Sequence, residues 1–410
     1  MQTPLHMLTT VAWRNMWRNH RRTLIMLAAV SVGVWAMIWM TALMRGMVDQ
    51  MIRSSIQNLT GHIQIHAPAY RDDPSIVNSM QALPPALTDA LKDKRIRGWA
   101  SRVRVPAVIQ SERDSLGVTL VGIDPLQEKN LSFIDNAVTE GRMLTGVDDD
   151  GIVIGNRLAE LLETRLGHRV VIISQDPKNN IVDRGFRIVG IFSTEFEATE
   201  KAYVFTGRKT AQDFLHMDGE SSEISLIGAD YRGLEPLVKK LRKAAPKLDI
   251  VSWDKLDPYL GSMLKVMDAF VLIWFIVIFL AMSFGLVNTL LMAVFERTRE
   301  IGLVQALGMR PRHIIVQTLI ESLFMLGIGL VVGNLLALLT LWPIRDGWDI
   351  SILGTEGLEM FQISRILYPI LELRDVVMSN AVVIVLGLLA SLYPAWRASR
   401  FTPVQAIVRN

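Results

Sequence analysis

Residues 268–342 read DAFVLIWFIVIFLAMSFGLVNTLLMAVF (268–295), ERTREIGLVQALGMRPRHI (296–314) and IVQTLIESLFMLGIGLVVGNLLALLTLW (315–342). A helix needs about 20 mostly apolar residues to cross a bilayer, so the first and third blocks are each predicted to span one. The block between them is charged at Glu296, Arg297, Arg299 and Glu300, yet it carries apolar residues at Ile301, Val304 and Leu307. Gly308, with Pro311 just beyond, is a helix-end signature. A turn between two spans needs only a few residues. The middle block therefore reads as a short helix near the membrane plane, offering Arg and Glu for ion pairs and apolar side chains for a groove.

Two further apolar runs, Thr23–Met44 and Val376–Trp396, complete a set of four. Orientation follows from Lys and Arg in the short segments. Residues 1–23 hold four Arg and no acid; the 296–313 loop adds Arg297, Arg299, Arg310 and Arg312; the tail adds Arg397, Arg400 and Arg409. The 343–375 segment has three Arg against six acids. Both termini and the charged loop are thus expected in the cytoplasm. The expected organisation is a cytoplasmic amphipathic helix over 1–22, spans over 23–44, 268–295, 315–342 and 376–396, and an external block over 45–267. The charged helix over 296–314, an outer loop over 343–375 and a cytoplasmic tail over 397–410 fill the rest. In the first segment Leu5, Leu8, Val11, Ala12 and Met16 share a face, flanked by Trp13 and Trp17, as in an interfacial helix.

The external block is framed by two amphipathic stripes. Met44, Met47, Val48, Met51 and Ile52 continue the first span, and Leu256, Leu260, Met263, Leu264 and Met267 precede the second. Their 3.6-residue period predicts stalk helices projecting out of the bilayer, with breaks at Gly46 and Gly261 as the alternative. Met44, Met47, Met51, Met263 and Met267 would give a soft lining for an acyl chain, or a seal between copies. Between the stalks, alternation predicts strands at His62–His66, Arg102–Gln110, Val118–Ile123, Gly151–Ile154, Arg169–Ser174, Phe186–Phe192, Lys201–Phe205, Glu223–Ala229 and Leu248–Trp253. Helices are expected at Asn156–Arg165 and Leu234–Ala244. The fold class is an α-helical membrane protein with four transmembrane helices around a large α+β extracytoplasmic domain. Breaks at Gly141–Gly151 and Gly207–Gly219 suggest two lobes.

Little in the chain points to catalysis. It has no cysteine, so it has neither disulfides nor thiolate ligands. There is no GxxxxGK[ST], HExxH or GxSxG, and no GxGxxG after a strand. The net charge of +3 implies no acidic partner such as nucleic acid. His62 and His66 read as solvent-facing strand residues, Asp148–Gly151 as an acidic turn, and Glu195, Glu197 and Glu200 as an acidic loop. Within the spans, Glu321 reads as a structural contact for an Arg of the charged loop. Asn288 and Asn334 read as hydrogen bonders between helices, and Gly329 and Gly333 as a face for tight helix packing.

Three separated stretches then carry a family resemblance: ERTREIGLVQALGMRPRHI (296–314), YPAWRASRFTPVQAI (393–407) and EGRMLTGVDDDGIVIGNRLAELL (140–162). They resemble the MacB/FtsX/LolC-LolE-type permeases of ABC transporters, the type VII superfamily that works by mechanotransmission. Gln405 stands where that family often has an acid. The resemblance implies a Porter/Sabre-like periplasmic domain, a bacterial inner-membrane location and no enzyme activity or cofactor in this chain. ATP and Mg would bind separate partner subunits. The implied partners are two ABC ATPase subunits, a second identical or homologous permease, membrane lipids, and a periplasmic carrier or adaptor. By the same carry-over Glu296, Arg297, Arg299, Glu300, Ile301, Gly302 and Leu307 would dock the ATPase. The implied function is extraction of a lipoprotein or other amphiphile from the outer leaflet. The alternatives are an FtsX-like scaffold that activates a periplasmic enzyme and a MacB-like driver of efflux.

Overall fold

A computed structural model describes residues 5–81, 83–217, 219–307, 309–351 and 364–400. The chain divides into two compact units. One comprises Met1–Val48, Leu264–Ile350 and Ile366–Asn410; the other comprises Asp49–Met263 and Ser351–Arg365.

Six helices are central to the site: α1 (Leu5–Arg18), α2 (His20–Ser55), α3 (Pro258–Glu296), α4 (Thr298–Ala306), α5 (Pro311–Leu341) and α6 (Leu373–Ser399). Among the described residues four helices, α2, α3, α5 and α6, are long and apolar enough to cross a membrane. At about 1.5 Å per residue, α2 and α3 are some 54 and 58 Å long, well beyond a ~30 Å hydrocarbon layer. Both run unbroken through the glycines at which a break was the alternative. A Cβ at Gly46 would sit 2.3 Å from the Tyr368 carbonyl, and one at Gly261 would sit 2.3 Å from that of Asp254. These glycines serve close approach.

The helical unit is held by an apolar core of Val34, Met37, Phe275, Phe279, Leu326 and Val383. Gly329 and Gly333 bring α5 against α2: a Cβ at Gly329 would lie 2.5 Å from Val30 Cγ1, and one at Gly333 would lie 2.7 Å from the Ser31 carbonyl. Ser31 donates to the Gly329 carbonyl at 3.2 Å, and Asn334 donates to Asn380 of α6 at 2.9 Å. Asn288, expected to bond between helices, is exposed instead. At one end of the bundle a buried Arg45 pairs with Asp375 and with Asp268, which also accepts from Arg374 at 2.6 Å.

The second unit is built on β1 (Ile63–His66), β2 (Ile96–Gln110), β3 (Ser115–Ile123), β4 (Val138–Gly141), β5 (Gly151–Gly155), β6 (Arg169–Gln175), β7 (Ile181–Phe192), β8 (Tyr203–Gly207), β9 (Glu223–Gly228) and β10 (Asp249–Ser252). The order is β10-β1-β9-β2-β3-β8-β5-β7-β4, and β6 pairs with both β2 and β7. Strands β2, β3, β8, β5, β7 and β6 thereby close into a ring around Val105, Ile109, Leu120, Ile154, Ile172 and Phe186. The 15-residue β2 joins two lobes: its first half pairs with β9, and its second half pairs with β3 and β6. The boundary at Gly207–Gly219 fits this division. The one at Gly141–Gly151 does not, because β4 and β5 both pair with β7. Strand β8 begins at Tyr203 rather than Lys201, since Glu197–Ala202 is helical.

Both histidines are buried, contrary to the solvent-facing expectation; the His66 ring stacks on Tyr70 at 5.4 Å, and His62 sits just before β1 against Gly228. His62 Nδ1 accepts from the Gly228 amide at 2.9 Å. Glu200 of the acidic loop is also buried, accepting from Ser193, the Thr194 amide and the Arg157 amide. Asp149 closes its turn through the amides of Thr145 and Gly151. Where β2 passes between the lobes, Arg102 is fully buried and donates to Glu128 at 2.6 and 2.9 Å, to Glu223 at 3.1 Å and to the Leu59 carbonyl at 2.6 Å.

Candidate functional site

The charged block folds as its pattern predicts, with a change in which side chains face outward. Helix α3 ends at Glu296, Arg297 breaks the run, and α4 begins at Thr298. The expected stop at Gly308 lies outside the described residues, as do the side chains of Leu5, Leu8 and Val304 and the whole of 401–407.

Arg297 turns inward. Its Nη1 donates to both oxygens of Glu321 on α5, at 2.9 and 3.1 Å, and its Nη2 donates to the Asn15 carbonyl of α1. Asn15 Nδ2 donates to Glu321 at 3.0 Å. Three chain segments therefore meet at one buried ion pair, which leaves Arg297 off the exposed face of α4; the contact of Glu321 with a loop arginine is present. Gly302 is buried, and Ile301 packs with Met309 against Val294, Ile314 and Ala398.

Along the exposed side of α4, Arg299, Leu303 and, at its C-cap, Leu307 are spaced four residues apart so that they align. Leu303 is 57% exposed and Leu307 80%. Leu303, absent from the residues that the family resemblance implies, joins this side through its four-residue spacing from Arg299. Two exposed ion pairs flank the helix: Arg18 of α1 with Glu300 at 2.6 Å, and Arg22 of α2 with Glu296 at 2.7 Å. Trp13 meets Phe324 edge to face at 5.6 Å and Ala12 and Met16 are buried, so α1 seats on α5 and carries Arg18 to α4. Among the described residues Arg299 has no ion-pair partner.

The stalk methionines divide by burial. Met51 and Met267 are buried, while Met44, Met47 and Met263 are half-buried. Among the described residues no group of three or more His, Cys, Asp or Glu is arranged to hold a metal ion.

A charged helix seated between two long apolar helices, and a β-rich unit between the first and second of the four, agree with two family models. The MacB-like periplasmic core domain matches residues 23–243, and the FtsX-like permease C-terminal domain matches residues 272–403. The chain belongs to the MacB/FtsX/LolC-LolE-type ABC transporter permeases. This permease is a multi-pass membrane protein. It is 22% identical over 392 residues to the lipoprotein-releasing system transmembrane protein LolC of Xylella fastidiosa (strain 9a5c), covering 92% of this chain and 91% of that one. It is 23% identical over 401 residues to LolC of Neisseria meningitidis serogroup B (strain ATCC BAA-335 / MC58), covering 94% and 93%. The macrolide export ATP-binding/permease protein MacB of Shigella boydii serotype 4 (strain Sb227) is 23% identical over 432 residues, covering 98% of this chain and 60% of that one.

Proposed function

We propose that the permease carries motion from cytoplasmic ATPase subunits to a periplasmic head, and that the motion extracts a lipoprotein or another amphiphile from the outer leaflet of the inner membrane. The observation that carries the reading is the exposed Arg299–Leu303–Leu307 face on a helix seated by a buried ion pair. Such a face offers one cation and two apolar side chains to a groove, while Arg297 and Glu321 hold the helix to its bundle. In this reading both termini and α4 lie in the cytoplasm. The spans cover 23–44, 268–295, 315–342 and 376–396, and residues 45–267 lie in the periplasm. Two ATPase subunits bind ATP and Mg, a second identical or homologous permease pairs with this one, and this chain holds no cofactor and catalyses nothing.

The LolC relatives, whose names state lipoprotein release, support the substrate class. The stalk methionines support it through their polarizable, adaptable surface. Arg299→Glu or Leu303→Asp should insert normally but lower coupled ATPase activity at least fivefold, and normal coupling in both would overturn the docking assignment. Photoreactive groups at Met47 and Met263 should crosslink to a lipidated protein. Crosslinks to the partner permease alone would remove the substrate path and favour a scaffold without cargo.

A further inference from the structure

Behind α4 lies a cavity of about 350 Å³, within the range of small-molecule sites. Its walls are apolar: Val11, Leu290, Val294, Ile301, Met309 and Ile314. One part of its lining is polar, where Asn15, Arg297, Gln317 and Glu321 converge. Arg297 and Glu321 are each more than nine-tenths buried, so this is a built interior surface. We infer that this cavity is a binding site for a neutral single-chain amphiphile, held by its apolar body against α1, α3, α4 and α5 and by hydrogen bonds from its head to the Asn15–Arg297–Gln317–Glu321 cluster.

Charge selects the class. The guanidinium of Arg297 and the carboxylate of Glu321 already neutralise each other at 2.9 Å. An ionised head would have to open that pair and leave one partner buried and uncompensated. A hydroxyl, ester or amide head can instead share the amides of Asn15 and Gln317 without disturbing it. Size selects a single chain: at about 30 Å³ per water-sized group, the space holds roughly a dozen heavy atoms. Supply from the bilayer follows from the walls, since α3 and α5 are long apolar helices and α1 exposes Trp13 and Trp17. Because Ile301 and Glu300 of α4 line the cavity, an occupant would brace α4 against α1 and α5. That consequence rests on the coupling reading, whereas the site itself does not.

The absence of cysteine allows a direct test on the assembled transporter. Val11 lines the cavity and is 37% exposed, so Val11→Cys supplies a single reactive thiol in this chain, scored by the gel shift of a maleimide-polymer adduct. In nanodiscs of phosphatidylethanolamine and phosphatidylglycerol, decanamide, neutral and matched in size to decanoate, should slow the modification at least fivefold. Decanoate and decyltrimethylammonium should slow it less than twofold. Adding Ala293→Phe, or the milder Ala293→Leu, fills the cavity and should abolish the protection. Slow modification in native membrane vesicles that speeds up in the nanodiscs would assign the occupant to the bilayer; fast modification in both, slowed only by added compound, would assign it to a soluble supply. No protection, equal protection by all three probes, or protection that persists in both filled variants overturns the inference. Protection in a complex whose ATPase ignores Arg299→Glu would keep the site and sink the coupling reading. Uncoupling by Arg299→Glu without protection would do the reverse.

Discussion

Arg297 Nη1 grips both carboxylate oxygens of Glu321, 24 residues further along the chain, at 2.9 and 3.1 Å. The pair sits where α3 ends and α4 begins, and Asn15 of α1 bonds to both partners. The break between the two helices is thereby a fixed corner, and the orientation of α4 depends on a contact made outside α4.

Breaking that pair from one side should be costly. Glu321→Ala leaves a buried guanidinium without its carboxylate, and such losses run to about 3–5 kcal/mol. The double change Arg297→Met with Glu321→Met replaces the charges by apolar volume and should be milder. Thermal unfolding of the purified permease would rank the double variant above Glu321→Ala; equal losses in the two would show that the pair contributes nothing specific.

The Arg18–Glu300 pair makes the opposite prediction. Its side chains are about half exposed, and such pairs contribute roughly 0–1 kcal/mol, so Glu300→Arg should scarcely change the melting temperature. It should still misplace α4 by repulsion from Arg18 and Arg299, lowering coupled ATPase activity severalfold. Adding Arg18→Glu should restore most of that loss. A double variant no better than the single would mean that Glu300 acts through another contact.

Packing of α5 on α2 should discriminate sharply among glycines. Gly333→Val places a Cβ 2.7 Å from both the Ser31 carbonyl and Val34 Cβ, and overpacking of this kind costs about 1–3 kcal/mol or more. Gly327 and Gly285 have nothing within 4 Å of the added Cβ, so Gly327→Ala and Gly285→Ala should be neutral or stabilising by up to about 1 kcal/mol. Melting temperatures of the three variants would test this; a Gly333→Val protein as stable as the other two would refute the close approach.

Burial lowers the His62 imidazole from its ordinary 6.5 to about 4. The unfolded chain therefore binds a proton that the folded chain refuses, and stability rises with pH across that window. Acidification from pH 6.5 to about 4 should progressively destabilise the β-rich unit. His62→Asn, whose side-chain oxygen can still accept from the Gly228 amide, should flatten this part of the profile. Denaturant unfolding followed by tryptophan fluorescence would measure it, and an unchanged pH slope in the variant would exclude His62 as the titrating group. Glu223 adds a separate loss at lower pH. Burial opposes its charge, but Arg104 and Arg102 outweigh that effect and hold its carboxyl below the usual range, so protonation there removes stability as pH falls.

The sequence alone determined the features that depend on summed local composition. Four apolar runs long enough for a bilayer need no partner to be recognised, and the charged block from Glu296 to Leu307 announces itself by contrast with its flanks. Most strands were also legible, because alternation is a property of consecutive residues. Only the tertiary structure decided which side chains those elements turn inward. Arg297, Ile301 and Gly302 look as available in the sequence as Arg299 and Leu307, and what separates them is the position of Glu321 and Ile314 on another helix. His62 and His66 read as surface residues until Gly228 and the Tyr70 ring are brought against them. Arg102 finds Glu128 and Glu223 across 26 and 121 residues, and β6 closes the ring by pairing with β2 and β7. The physical reason is the same throughout: hydropathy and period belong to a segment, whereas burial, charge pairing and strand order belong to contacts between segments that only the folded chain brings together.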